Sequence, residues 1–328
     1  MENKIVDYIY GEFELEDVLI ELINCDALQR LKNIHQVGAT YLIKEELNVN
    51  RFEHSIGVML LIRLLGGSLK EQIAGLLHDI SHTAFSHVID FVFDNSDEDY
   101  HELIFDEVVI NSKIPYILNK YGYDFKEILE NEEQWTILER KAPRLCADRV
   151  DYTLRDMYKY GFTNKNEINE FLKNIQVLDG EIVTNDIESA RWFLELYYTE
   201  VIDFFMNPIN GYSYDKLSKA IKIAIDENEL NLKDMLKTDN EVIDILNRSE
   251  NNKIKSLMKS LNKNVKLRIN EDKYDIFIKG KTRLIDPGVS IGGKVYSLSE
   301  LDNNVELINK KAKAKMEKGV YIEIGSVK

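Results

Sequence analysis

Five of the six histidines of this chain, His54, His78, His82, His87 and His101, fall between residues 54 and 101, in segments whose apolar residues recur at helical spacing. Histidine more often occurs singly, as a satisfied core or surface residue. Burying several titratable rings together is costly unless polar groups answer them. The chain must therefore build a helical interior that gives these rings partners. Ile56, Leu60 and Leu64 form one stripe that stops at Gly66-Gly67, where glycine takes the left-handed cap without strain. Ser68-Leu69-Lys70-Glu71 then reads as a capping box, followed by Ile73, Leu76 and Leu77 on a buried face. The pattern predicts a helical hairpin with His54 at the start of its first helix and His78-Asp79 at the end of its second. Antiparallel packing brings those three together. Asp148, at the front of a helix expected over 143–160 and opened by Pro143, supplies a fourth ligand and completes an N2O2 set with room for water.

Imidazole and carboxylate without thiolate favour iron, manganese, magnesium or cobalt over structural zinc, and open positions suit activation of water. The identity of this divalent metal does not follow from ligand type. His82, His87, Asp90 and His101 remain, close by and too many to be ligands; they can transfer protons near neutral pH or orient the groups that do. Asp148, Tyr152 and Asp156 follow i, i+4, i+8 and share one helix face. His35 has no expected chemical task, and Cys146 reads as a small buried hydrophobe.

The fold class expected is mostly α, a helical core over residues 1–240 with a smaller α+β lobe over 241–328 and a soft boundary. Further helices are expected over 100–110 and 186–206, the latter stopped by Asn207-Pro208. Val265, Leu267 and Ile269, then Tyr274, Ile276 and Ile278, alternate with polar residues around Asn270-Glu271-Asp272, which predicts a β-hairpin. A helix near 299–318 and a strand at Val320-Tyr321-Ile322 follow. The lysines of that last helix, Lys310, Lys311, Lys313, Lys315 and Lys318, are read as complementing the helix dipole rather than as an anion site. Lys+Arg 42 against Asp+Glu 57 gives a formal net charge of −15, which argues against stable nucleic-acid binding. An anionic substrate then needs a metal or a local basic pocket. No membrane-spanning stretch or signal-peptide pattern is visible, and 2 cysteines suit a reducing compartment, so a cytoplasmic location is expected.

Arg51-Phe52-Glu53-His54-Ser55-Ile56-Gly57, the run from His78-Asp79 through His82 to His87, and Asp148-Arg149-Val150-Asp151-Tyr152 resemble the signatures of the HD-domain phosphohydrolase superfamily. Within it they are most similar to the deoxynucleoside triphosphate triphosphohydrolase branch, in order and spacing over roughly residues 5–160. The resemblance implies an HD-domain helical core and makes His54, His78, Asp79 and Asp148 the metal ligands. It directs His82 and His87 at the phosphates, with His87 a candidate acid for the leaving oxygen, and makes Asp90 and His101 a carboxylate-histidine pair acting on water. Arg51 and Arg149 fall where the branch contacts phosphate, Tyr152 and Asp156 where it holds the sugar, and Gln36 near sugar or base; Tyr198 either stacks on the sugar or is core. One departure stands out. Where many members carry Tyr-x-His-Lys, this chain has Tyr198-Thr199-Glu200-Val201, and glutamate there would repel a triphosphate.

The expected activity is hydrolysis of a nucleotide, foremost a deoxynucleoside triphosphate split into deoxynucleoside and triphosphate. The alternatives are a phosphomonoesterase on nucleoside monophosphates or other small phosphate esters, and a nucleotide-binding regulator with a sensor site. The resemblance also implies a homo-oligomer.

Overall fold

The computed structural model describes residues 3–130 and 134–325. Its centre is the expected helical hairpin. Asn50 caps the Arg51–Leu64 helix by accepting from the Glu53 N–H at 2.9 Å, and Ser68 caps the Leu69–Leu77 helix by accepting from the Glu71 N–H at 3.2 Å. The two helices touch along small residues: a Cβ on Gly75 would lie 2.4 Å from Ile62 Cδ1. Met59, Leu60, Leu61, Ile73, Leu76 and Leu77 are all excluded from solvent in the main hydrophobic core. The Ala147–Lys159 helix crosses the first helix and places its polar face on His54.

A second core gathers Phe85, Val88 and Ile89 against Leu217 and Ile221 of the Pro208–Asp226 helix, with Val242, Leu246 and Ile254 from the Asp239–Arg248 and Asn252–Ser260 helices. A third, small core lies under the last sheet, around Tyr212, Ile276 and Ile322.

Three small sheets accompany the helices. β1 (Lys4–Asp7) pairs antiparallel with β2 (Gly11–Glu14). β3 (Ile175–Leu178) and β4 (Glu181–Thr184) form a second hairpin that β7 (Gly288–Ile291) and β8 (Lys294–Ser297) extend, with β4 and β7 parallel. This sheet joins residues on both sides of position 240, and Ile285, Val289 and Met316 belong to the main core. The third sheet corrects an expectation. β5 (Leu267–Ile269) and β6 (Ile276–Ile278) do not pair with each other; β9 (Val320–Ile324) lies between them, antiparallel to both, with Ile322 fully buried in the third core beside Ile276.

Four helix boundaries also differ; the helix expected near 299–318 is interrupted by extended Asp302 into Leu298–Leu301 and Asn303–Lys318. The helix expected from Pro143 begins at Ala147, since Pro143 gives its carbonyl to the Asp286 N–H and Leu145 bridges Ile182 in extended conformation. The segment 100–110 breaks at Ile104 into Tyr100–Leu103 and Phe105–Ile110. The helix expected over 186–206 is α-helical over Ile187–Tyr198 and then widens into a π-helical turn, Thr199–Phe204, a local change of pitch that rotates the following side chains. No helix among the described residues is long and apolar enough to cross a membrane.

Candidate active site

His54, His78 and Asp148 meet where the three helices converge, with one ligand atom from each within 4.8 Å of the others. His54 Nε2 lies 3.0 Å and His78 Nε2 3.5 Å from Asp148 Oδ1, and Asp79 Oδ1 is 3.4 Å from His78 Nε2. The ring orientations are fixed from behind. His78 Nδ1 donates to the Gly75 carbonyl at 2.7 Å, and His54 Nδ1 faces Asp151 Oδ2 at 2.8 Å. Both Nε2 atoms thus point at one spot, the arrangement by which outer carbonyls and carboxylates orient metal-binding imidazoles. His78 Nε2 is buried and has no hydrogen-bond partner. The electrostatics ask for a cation at that spot. Burial alone would lower the pKa of His54, yet hydrogen bonds to Asp148 and Asp151 outweigh it and raise it to about 10. His78 is raised against its burial by Asp79 and Asp148, while Asp148 is held well below the usual carboxylate range by the two rings. The donor set fits a divalent metal, which would take the place of those protons.

Behind His54 runs a buried ionic chain that the sequence reading missed. Arg155, fully buried, donates to both oxygens of Asp151 at 2.9 and 3.0 Å and to Asp7 at 3.0 Å. The chain explains Gly57, where a Cβ would fall 2.0 Å from both Arg155 Nη2 and Asp151 Oδ1. Its sequence signal was available: Asp151 stands at i+3 from Asp148 and Arg155 at i+4 from Asp151 on the same helix.

The remaining histidines form a group of their own. His82 and His101 stack with centroids 3.9 Å apart, and His87 meets both edge-on at 4.9 and 5.4 Å. His82 Nε2 also lies 3.1 Å from Asp79 Oδ1. Burial, then Arg51 and His101, push His82 well below its usual pKa, and burial with His87 lowers His101 to about 3, so both rings are neutral. Asp90 faces His87 Nδ1 at 3.2 Å, not His101, and also accepts from Asn95 Nδ2 and the Tyr100 N–H. The carboxylate-histidine pair of this site is therefore Asp90 with His87. The turn that aims His87 is strained: Phe85 and Ser86 have φ of 60° and 54°, the left-handed region that bulky residues avoid. Asp239, buried and far along the chain, holds that turn by accepting from the Phe85 N–H at 2.7 Å and engaging both the N–H and the ring of His35. His35 is thus a scaffold residue.

His54, His78, Asp79, Asp148, His82, His87 and His101 line one cavity of about 950 Å³. Arg51 reaches it but is committed, donating to Asp79 at 2.7 Å and to Ser86 Oγ at 3.0 Å. Arg149 reaches it too and donates to the Arg144 carbonyl at 2.7 Å beside Glu139. Gln36, Tyr152 and Asp156 lie on the wall, and both Gln36 Oε1 and Asp156 Oδ1 are buried without a hydrogen-bond partner. Tyr198 does not face the cavity. Its hydroxyl turns away to Asn309 Oδ1 at 2.5 Å, and the lining tyrosine is Tyr197. Glu200 does not line it either: it is fully buried in the π-helical turn, where burial and Asp156 raise it well above the carboxylate range, so it is uncharged and repels nothing.

Residues 51–156 match the HD domain family. The uncharacterized protein YdhJ of Bacillus subtilis is 49% identical, the match covering 98% of this chain and 99% of that one. The metal-dependent phosphohydrolase cns2 of Cordyceps militaris is 36% identical over 66% of this chain and 64% of its own length. The deoxynucleoside triphosphate triphosphohydrolase SAMHD1 of Danio rerio is 29% identical over 59% of this chain and 40% of its own. The chain thus spans less than two thirds of these last two relatives. A hypothetical protein from Aquifex aeolicus shares the fold, with a TM-score of 0.71 at 20% identity over 96% of this chain and 100% of that one.

Proposed function

This chain belongs to the HD domain family and is a metal-dependent phosphohydrolase; on that premise we propose that it hydrolyses nucleotides, foremost deoxynucleoside triphosphates, to deoxynucleoside and triphosphate. The observation that carries the reading is the shared face of the Ala147–Lys159 helix, with Asp148 among the two histidines and the unpartnered, buried oxygen of Asp156 on the wall of the same cavity. Eight residues separate the two carboxylates, about 12 Å along a helix axis, roughly the reach from an α-phosphate to a sugar 3′-hydroxyl.

A divalent ion held by His54, His78, Asp79 and Asp148 would supply polarisation of a phosphoryl oxygen and activation of water. The protein supplies the rest. His101, neutral and stacked on His82, offers a ring N–H to the phosphate, while the one N–H of neutral His82 meets Asp79, and Arg51 is held at its side by Asp79 and Ser86. Asp90 fixes His87 through Nδ1, leaving Nε2 to protonate the 5′ oxygen as the bond from phosphorus to that oxygen breaks. Tyr152 and Tyr197, with centroids 6.5 Å apart, flank the sugar and crowd its 2′ side. The name of the zebrafish relative supports the triphosphate substrate.

A second reading, a phosphomonoesterase on nucleoside monophosphates or small esters, is favoured by Glu200, which stands inside the fold where the departure from Tyr-x-His-Lys removes a cation. The intact ligand set tells against a sensor without catalysis. Low cysteine use supports a cytoplasmic enzyme, and the branch it resembles supports a homo-oligomer.

The two substrate readings separate on a panel of nucleotides and phosphate esters assayed with several metals, the products resolved by chromatography. Release of triphosphate is expected; orthophosphate from monoesters alone would favour the second reading. Asp156→Ala should weaken deoxynucleotides by about two- to tenfold, the worth of a hydrogen bond between neutral groups. It should weaken 2′,3′-dideoxynucleotides, which lack the partner hydroxyl, far less. Equal losses would remove Asp156 from sugar recognition.

A further inference from the structure

A triphosphate brings several negative charges into a cavity whose known cations are already engaged. Arg51 is spent on Asp79, and Arg149 is turned to backbone carbonyls and Glu139. The Ile187–Tyr198 helix and the turn after it send no cation in, and Asp106 and Glu130 add negative charge to the lining. Two further cations line the cavity, and both come from far along the chain: Lys281 and Arg283, in the irregular segment between β6 and β7.

That segment is pinned at both ends. β6 pairs with β9 through Ile276 to Ile278, and Ile285 is fully buried in the main core. The Arg283 N–H donates to Met316 Sδ at 3.2 Å. Its guanidinium sits 5.9 Å from the centre of the Phe205 ring and pairs through Nη2 with Glu98, which lines the same cavity. Nε and Nη1 make no hydrogen bond among the described residues, so most of the planar fork remains free for an oxyanion. Lys281 is exposed and forms no ion pair among the described residues. Tyr152 and Tyr197, the proposed sugar flank, are close enough to Arg283 to feel its charge.

We infer that Lys281 and Arg283 form the clamp for the substrate's phosphate tail, supplying from the C-terminal part of the chain the cations that the turn after Tyr198 lacks. The inference rests on the triphosphate reading proposed above and gives it a specificity determinant: a polyanion long enough to reach the β6–β7 segment is held, and orthophosphate at the metal end is not.

The test uses the metal-loaded protein, with inorganic triphosphate and orthophosphate as calorimetric titrants. Arg283→Ala should weaken triphosphate about tenfold or more and Lys281→Ala about threefold or more, the scale of charge-assisted hydrogen bonds. Orthophosphate should stay within about twofold, and Arg283→Lys should recover part of the loss, since charge returns without the fork. Metal content and thermal midpoint report folding; should Arg283→Ala fail to fold, the exposed Lys281→Ala still decides. Triphosphate affinity equal to wild type in both variants overturns the clamp. Failure of the wild type to hydrolyse deoxynucleoside triphosphates, with triphosphate binding still dependent on these residues, overturns the substrate reading and leaves the clamp standing.

Discussion

Asp148 and Asp156 lie on one face of one helix, two turns apart, yet they are in opposite states. Asp148 faces His54 and His78 and is held ionised. Asp156 is 1% exposed against 26% for the Asp148 side chain, and has no ion pair among the described residues; burial raises it to about 7 against the pull of His54. What also differs is what each carboxylate meets across the helix. One meets imidazoles aimed by Asp151 and Gly75, the other meets Glu200, itself buried and uncharged. A single helix thus carries a group prepared for a cation and, about 12 Å along, a group prepared for a neutral hydroxyl, a division of roles between carboxylates set by environment alone.

The largest effect should come from breaking the ionised end. Asp148→Ala removes a proposed ligand and should abolish both bound metal, read by elemental analysis, and turnover, read with the best substrate of the panel; retention of both would mean that the cation site is elsewhere. A smaller effect should follow from loosening what aims it. Asp151→Asn keeps the shape but weakens the hold on His54, and metal affinity in a chelator competition should fall about ten- to a hundredfold, the usual worth of an outer partner. If Asp151→Asn bound metal like wild type, the ionic chain through Arg155 to Asp7 would be scaffolding for the fold alone.

The contrast between the two carboxylates was only half visible in the sequence. The hairpin and the spacing of His54, His78, Asp79 and Asp148 follow from helical periodicity, capping and turn chemistry, all local. The shared face of Asp148, Tyr152 and Asp156 follows from the same period. What could not be read was anything set by contacts distant in sequence. Asp239 holds the left-handed turn at Phe85 from more than 150 residues away, and Lys281 and Arg283 line the cavity from the segment that follows β6, itself paired with β9. The insertion of β9 between β5 and β6 defeated the hairpin expected there, since alternation shows that two strands exist and not which strand each pairs with. Tyr197 rather than Tyr198 faces the cavity because the latter's hydroxyl finds Asn309 on the last helix. Glu200 looked repulsive because sequence shows its type and hides its burial.

The smallest expected effect bears on the other end of the helix and reads the state of Asp156 directly. A carboxyl with an ordinary pKa of 3.8 when unfolded and about 7 when folded keeps its proton in the native state over a range where the unfolded chain has lost it. Between those values the native state binds more protons, so stability falls as pH rises, and above about 7 the full cost of the buried charge is present. A shift of that size corresponds to at most about 4 kcal/mol, and less once the neighbourhood relaxes. Asp156→Asn cannot ionise. It should match wild type in urea unfolding at pH 4 and exceed it at pH 8, and Glu200→Gln should flatten the same slope, since it removes a second buried acid that keeps its proton in the native state after the unfolded chain has lost it. Parallel curves for Asp156→Asn and wild type from pH 4 to 8 would show that Asp156 ionises freely. The two ends of the helix would then differ in their neighbours but not in their charge, and the neutral-hydroxyl site would lose its electrostatic basis.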